Sequence, residues 1–323
     1  MRSPSIALTG LAVTIFVSSI GCDLPNVNIG GLTGKEKAIR ISEFNVPIPE
    51  ASKVEIRTEN GRVRCVAGDV TEIEVEAEIT AWAKSIELAE EHVEQITVER
   101  FEEDGVAKIL ANIPRRISGS VALTIIVPAD TQLNIRTTNG AIEVKGPMKR
   151  TAARTSNGKI DLEDCVGEIE ARSSNGKVKI EGELLTKVKA ETSNGSIEID
   201  GTLGAGDHYA ETSNGSIHVE LEGAPVRITA DTSNGRIRAN GRKIKSGKTF
   251  TIGPKQTEPP TDDNIARLSL DTSNGSITVE HEGMDDDDGE DDDDEDDEED
   301  DDEDDDERII KEVTKRILEK IDL

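Results

Sequence analysis

The sequence is short of most of what an enzyme core is usually built from. Aromatic residues make up 2% of its 323 residues, with a single tryptophan, Trp82, and a single tyrosine, Tyr209. Aromatic side chains normally dominate the buried area of a core, so their scarcity points to packing by stacked aliphatics. The four histidines, His92, His208, His218 and His281, show no metal-ligand spacing with one another or with cysteine. No metal site and no cofactor are therefore expected. There is no glycine-rich phosphate loop and no Gly-x-Ser-x-Gly elbow, which leaves the chain without the common signatures of phosphoryl or acyl transfer. Cysteine is also rare: beyond Cys22 only Cys65 and Cys165 occur. An oxidising compartment would let them pair, but they sit at different offsets in the repeat described below, and a disulfide is not expected. Basic excess is missing as well. The net charge is −29, and residues 285–307 hold 22 of the 67 acids. The rest sets 45 acids against 38 lysines and arginines, a balance that excludes the electrostatic footprint of a nucleic-acid binder.

What is present is a tetrapeptide, Thr-Ser-Asn-Gly or a near variant, that keeps returning. Its pairs are Asn139-Gly140, Asn157-Gly158, Asn175-Gly176, Asn194-Gly195, Asn214-Gly215 and Asn234-Gly235, separated by 18, 18, 19, 20 and 20 residues. Asn274-Gly275 follows after 40, and an isolated copy, Asn60-Gly61, comes earlier. A fixed period near twenty marks a stacked architecture in which each repeat is one coil. Apolar residues lie four and six before each Asn, a Ser or Thr two before, and apolar residues three and five after, as at Val188, Ala190, Thr192, Ile197 and Ile199. Each half alternates like a strand, but the parity flips at Asn-Gly. One residue is spent on a corner, for which positive φ at Asn-Gly is expected. The fold class expected is all-β, a parallel β-solenoid or β-helix of about 18–20 residues per coil. Asn amides and Ser/Thr hydroxyls are expected to form ladders along it. The Asn-Gly-Ser triplets at Asn194, Asn214 and Asn274 read as corners rather than glycosylation sites.

The rest of the chain divides by composition. Residues 1–22 read as an export signal: Arg2, then an apolar stretch Ile6 to Val17, then Ser19-Ile20-Gly21-Cys22, a near-lipobox with Ser19 where an aliphatic residue is usual. Lipidation of Cys22 and a location in the cell envelope, periplasmic or surface-exposed, follow as expectations. Residues 23–37 form a tether and residues 38–283 the repeat body. Within the body, strands are expected around Val54–Ile56, Ile73–Ala77 and Val121–Val127. One small amphipathic helix is carried by Ile86, Ala89, Val93 and Ile96. This N-terminal part is expected to cap one end of the stack. Residues 284–307 read as a disordered acidic tract, and 308–323 as an amphipathic helix suited to docking or self-association.

In these residues the body resembles the bacterial β-strand-repeat putative adhesin family, a domain of unknown function. The Glu59-Asn60-Gly61 turn, the helix near 83–96, Ile125-Ile126-Val127-Pro128 and the closing Leu268-to-Gly275 coil carry the resemblance, over residues 38–283. It implies an envelope-exposed β-solenoid and transfers no catalytic residue.

Two outward files bear on function. Asp161, Lys179, Glu198, His218 and Arg238 share one position and read as a solvated ladder of alternating charge. Three before each Asn the order is Arg136, Arg154, Arg172, then Glu191, Glu211, Asp231, Asp271. Charge there is segregated. The arginines form a candidate anion-binding stripe and the acids a candidate stripe for cations or a basic partner. The sequence thus reads as a non-catalytic, envelope-anchored binding, adhesion or structural module. Its partners are the membrane, through the anchor, and an envelope polymer or protein. A carbohydrate-active β-helix enzyme and a regulatory component of envelope-stress sensing are the alternatives. The acidic tract is expected to fold back on the arginine stripe and to loosen with salt.

Overall fold

A computed structural model describes residues 14–15, 35–254 and 265–282; the rest of the export signal, residues 23–34 of the expected tether, residues 255–264, the acidic tract and the C-terminal segment lie outside them, and the strand that begins at Glu36 takes up the last two residues assigned to the tether. The described chain is all-β with one small helix, Ile86–Gln95. Most of its strands are parallel, and they fall into two series. Strands that approach an Asn-Gly corner are Lys53–Arg57, Gln132–Arg136, Arg150–Arg154, Val166–Arg172, the second half of Val178–Thr192, Gly206–Asn214, Ala266–Asn274 and Val226–Asn234. Strands that depart from it include Val63–Gly68, Ile142–Lys145, Ile160–Glu163, the first half of Val178–Thr192, Ile197–Leu203, Ile217–Leu221, Ile277–His281 and Ile237–Ala239.

Within each series like positions pair with like. Ile142 registers with Val63 and Ile160, Ile160 with Val178, Val178 with Ile197, and Ile197 with Ile217. The approach series does the same with Ile135, Ala153, Ala171, Ala190 and Ala210. All of these side chains are buried in one core. Parallel strands bonded on both edges leave no backbone group unpaired, and the inward positions are filled by aliphatic side chains. That is the physical reason the chain can do without aromatics; Phe44 is the one aromatic among the buried residues described.

The register corrects the expected order of coils. The last repeat, 266–281, lies between 206–221 and 226–239, paired in parallel with both. Leu268-to-Gly275 is therefore not the closing coil. The repeat at 226–239 is followed instead by Arg242–Ile244 and Lys248–Ile252, which fold back antiparallel on Ile237–Ala239 and Val226–Ala230. Antiparallel pairing ends the parallel series and covers its edge.

The opposite end is closed in a related way. Ser118–Pro128 pairs in parallel with Val63–Gly68 on one side and antiparallel with Glu72–Ala83 on the other. Glu36–Pro47 adds a further antiparallel strand, and the backbone of Thr14–Ile15 pairs with its Ile41 and Ser42. The expected helix is capped by the Ser85 side chain, which accepts from the Leu88 amide at 3.3 Å. Ala89 and Val93 are buried, whereas Ile86 is exposed. At the other terminus Arg40 donates to the Ile96 carbonyl at 2.7 Å and the Val93 carbonyl at 3.2 Å, satisfying carbonyls that the helix leaves open.

Candidate functional site

The repeated tetrapeptide is used by the fold at every position. Each Asn amide donates to the Asn oxygen of the neighbouring repeat: Asn139 to Asn60 at 2.7 Å, Asn157 to Asn139 at 2.8 Å, Asn175 to Asn157 at 2.9 Å, and Asn194 to Asn175 at 2.8 Å. The ladder continues from Asn214 to Asn194, Asn274 to Asn214 and Asn234 to Asn274, each at 2.9 Å. The buried hydroxyl two residues before the Asn donates to the corner glycine carbonyl of a neighbouring coil, in the following cases the preceding one. Examples are Thr155 to Gly140 and Ser173 to Gly158 at 3.0 Å, and Thr192 to Gly176 at 3.1 Å. The amides needed for glycosylation are thus engaged in the ladder.

The glycine has a different reason from the one expected. Among the corner glycines only Gly61 has positive φ, 138°. At the others the backbone bends without entering that region, and the constraint is contact. A Cβ on Gly195 would stand 2.2 Å from the Gly176 carbonyl oxygen, and one on Gly215 would stand 2.0 Å from that of Gly195. Corners stacked at strand spacing leave no room for a methyl group.

With the motif accounted for, the outward positions remain. The structure sets Arg136, Arg154 and Arg172 in consecutive register and adds Arg57, which sits opposite Arg136. The sequence reading passed over Arg57, although it lies three residues before Asn60 as the others lie three before theirs. Glu191 follows Arg172 and Glu211 follows Glu191; Asp271 then precedes Asp231, reversing the expected order. The file on the approach face is four guanidinium groups followed by four carboxylates. At about 4.8 Å per step the arginine half extends over about 14 Å.

Compensation along this file is uneven. Arg57 pairs with Glu55. Arg154 donates to Glu170 at 2.6 Å, and Arg172 lies 3.1 Å from Glu170 and 3.0 Å from Glu191. Burial works to raise the Glu170 carboxyl, but the Arg154 hydrogen bond and the charges of Arg154, Arg172 and Arg150 outweigh it and hold it below the usual range. Among the described residues Arg136 has no ion-pair partner, and the Nε of Arg154 is buried with no hydrogen bond. Two concavities open here. One of about 470 Å³ is lined by Arg57, Arg136, Arg154, Thr138, Ser156 and Leu110 among others. A second, of about 320 Å³, is shared by Arg136, Arg150 and Arg154 with Lys53 and Glu170.

The acidic half has the opposite bias. Burial, and then the charges of Asp231 and Glu211, hold the Asp271 carboxyl above its ordinary range. Lys189 reaches Glu191 at 2.9 Å, the Tyr209 hydroxyl donates to Glu211, and Ser246 donates to Asp231 at 2.5 Å. Beside this half a concavity of about 770 Å³ is lined by Lys189, Tyr209, Arg227, Arg267 and Ser269 among others. Arg267 is held there by Asp207 at 2.6 Å.

On the departure face the expected alternating ladder is interrupted. Asp161, Lys179, Glu198 and His218 register in turn, but Thr278 stands between His218 and Arg238. Lys177 and Lys179 serve Glu198, and Lys159 serves Asp161 at 2.9 Å. The inserted coil also brings Glu280 beside His218 and Glu220, with one donor atom of each within 4.8 Å of the others. Sequence spacing considered histidine only against histidine and cysteine, and Glu280 is remote in the chain.

The remaining candidates are structural. Cys65 and Cys165 are free and buried. Burial pushes the Cys65 thiol up to about 12, and burial with nearby Asp164 and Glu163 does the same to Cys165. His208 is buried, accepting from the Val188 amide at 3.2 Å on Nδ1 and lying 2.7 Å from the Gly204 carbonyl on Nε2. Cys22 lies outside the described residues.

Residues 51–250 match the family model described as Toastrack DUF4097. No curated protein matches the chain. Among solved structures, a "putative cell adhesion protein" from Clostridium sporogenes ATCC 15579 is 13% identical. The match covers 77% of this chain and 100% of that one, with a TM-score of 0.36. A "putative lipid binding protein" from Parabacteroides distasonis ATCC 8503 is 12% identical, over 78% of this chain and 98% of that one, with a TM-score of 0.37. A "putative adhesin" from Bacteroides fragilis NCTC 9343 is 11% identical, over 76% and 98%, with a TM-score of 0.29.

Proposed function

The chain belongs to the Toastrack DUF4097 family, and from that premise we propose that it is a non-catalytic binding module of the bacterial cell envelope. Its body, residues 38–283, is a β-solenoid with one coil per repeat. Residues 1–22 direct export and supply the lipid anchor at Cys22, a tether leads from it to the strand that begins at Glu36, and the acidic tract and the C-terminal segment follow the body. The observation that carries the reading is the segregated file on the approach face. Four arginines stand in register; Glu55, Glu170 and Glu191 offset three of them, while among the described residues Arg136 has no ion-pair partner and the Nε of Arg154 is buried with no hydrogen bond. Like charges at strand spacing destabilise a sheet unless something offsets them.

The ligand that offsets them is an anion with oxygen acceptors, phosphate or carboxylate, since guanidinium donors match both in bidentate geometry. A file rather than a pocket suits a linear polymer carrying such groups along its length. Glu191, Glu211, Asp271 and Asp231 offer the complementary surface, for cations or for basic groups on a partner. Exposed charge pairs are individually weak, so binding at either half is multivalent and salt-sensitive.

Calorimetry of the full chain with inorganic polyphosphate and with polygalacturonate tests the reading. At low salt at least one is expected to bind, and the Arg136→Gln, Arg154→Gln, Arg172→Gln variant is expected to lose that binding while keeping its unfolding midpoint. Absence of heat with both polymers at 50 mM salt or below would remove the arginine file as a binding surface.

A further inference from the structure

On the departure face nearly every outward carboxylate is matched by a lysine until the repeat at 217–221. Glu163 pairs with Lys145 at 3.2 Å, Asp161 with Lys159 at 2.9 Å, Glu181 with Lys179, and Glu198 with Lys177. Then the lysines stop while the carboxylates continue. Glu181, Asp200, Glu220 and Glu280 stand in consecutive register. Among the described residues neither Glu220 nor Glu280 has a lysine or arginine partner. At the place where lysine is missing the fold puts an imidazole. His218 Nε2 lies 2.9 Å from Glu220 Oε1, and the Glu280 carboxylate completes a set with all three donor atoms within 4.8 Å of one another.

We propose that His218, Glu220 and Glu280 form a binding site for a divalent transition-metal ion of the zinc or manganese class. The imidazole carries the assignment. A run of carboxylates alone would attract any cation loosely, whereas one nitrogen and two oxygens select borderline ions over calcium and magnesium, which take oxygen donors. The scaffold is stiff: His218 and Glu220 project from the same side of Ile217–Leu221, and Glu280 lies opposite Glu220 on Ile277–His281. Metal–ligand bonds of about 2.0–2.2 Å separate donor atoms by about 3–3.5 Å, so a small rotation of the exposed glutamates closes the set. Three protein donors leave positions open for water or for a donor on a bound partner. The site depends on the coil inserted out of order, because Glu280 reaches Glu220 only when 277–281 stacks directly on 217–221.

The 22 carboxylates of residues 285–307 will hold divalent cations weakly, so bulk calorimetry of the whole chain would read mostly that tract. Side-chain nitrogen NMR of histidine in the full chain, titrated with zinc chloride near neutral pH, reads the site instead. The expected result is a saturable shift of the His218 ring nitrogens at zinc concentrations that leave His92, His208 and His281 unchanged. The affinity should weaken about tenfold or more in Glu280→Gln and the shift should be absent with calcium chloride. Backbone amide spectra of the same samples report whether Glu280→Gln keeps its fold, as expected for an exposed position. No shift at His218, or a shift of equal affinity in the chain and in Glu280→Gln, overturns the proposal, the latter by showing an imidazole that binds zinc without the carboxylates.

Discussion

At the scale of single residues the Thr-Ser-Asn-Gly motif is a packing device whose parts fail separately. Gly195 is required because its neighbour's carbonyl fills the space of a Cβ, not because of its backbone angles. Gly195→Asn separates the two accounts, since Asn tolerates positive φ but brings a Cβ. It is expected to destabilise as Gly195→Ala does, by about 1–3 kcal/mol in urea unfolding; a variant as stable as the parent would restore the conformational explanation. Thr192→Val keeps the volume and removes the donor to the Gly176 carbonyl. It should cost about 1 kcal/mol in the same measurement. His208 supplies a pH signature. Burial lowers its basicity in the folded chain below the ordinary histidine value, against the raising effects of the Gly204 carbonyl and Asp207. The unfolded chain therefore takes up a proton that the folded chain refuses, and stability falls as pH drops below the unfolded histidine value of about 6.5. His208→Gln, which keeps an acceptor for the Val188 amide, should flatten the thermal midpoint between pH 7 and 5.

At the scale of elements, the strand phases, the corners, the single helix and the terminal cap were legible because period and burial parity are written directly in the residues. The arginine file was legible in part. Arg57 belongs to an isolated motif copy separated from the main run by the capping strands, and only the parallel pairing of 53–57 with 132–136 joins it to the others. The coil order was not legible, for a physical reason: the repeats ending at Asn234 and Asn274 carry the same inward residue types, so either could stack on the one at Asn214. The order settles which strands neighbour each other, and disulfide trapping can check it. Neighbouring register partners lie within the 4.4–6.8 Å range that a disulfide spans, whereas strands two steps apart do not. Glu211→Cys with Asp271→Cys is expected to cross-link under mild oxidation. Glu211→Cys with Asp231→Cys is expected to remain reduced, and the reverse outcome would place the coils in sequence order.

At the scale of the whole molecule, the described body is packed mainly by aliphatic side chains and its approach face is divided by charge. Anchoring at Cys22 predicts that Cys22→Ser moves the protein from the membrane fraction to the soluble envelope fraction; continued membrane association of the processed variant would contradict it. The division of the approach face makes the more central claim, that anions are held at one half and not at the other. The most direct measurement compares polyphosphate binding by the full chain with binding by two charge reversals, Arg136→Glu and Asp271→Arg, at 50 and 500 mM salt. Arg136→Glu is expected to weaken binding at least about tenfold, or about 1.4 kcal/mol, with Asp271→Arg unchanged or tighter and all binding reduced at the higher salt. Equal loss in both variants, or binding by the Arg136→Glu chain at the parent's affinity, would contradict the division on which the proposed function rests.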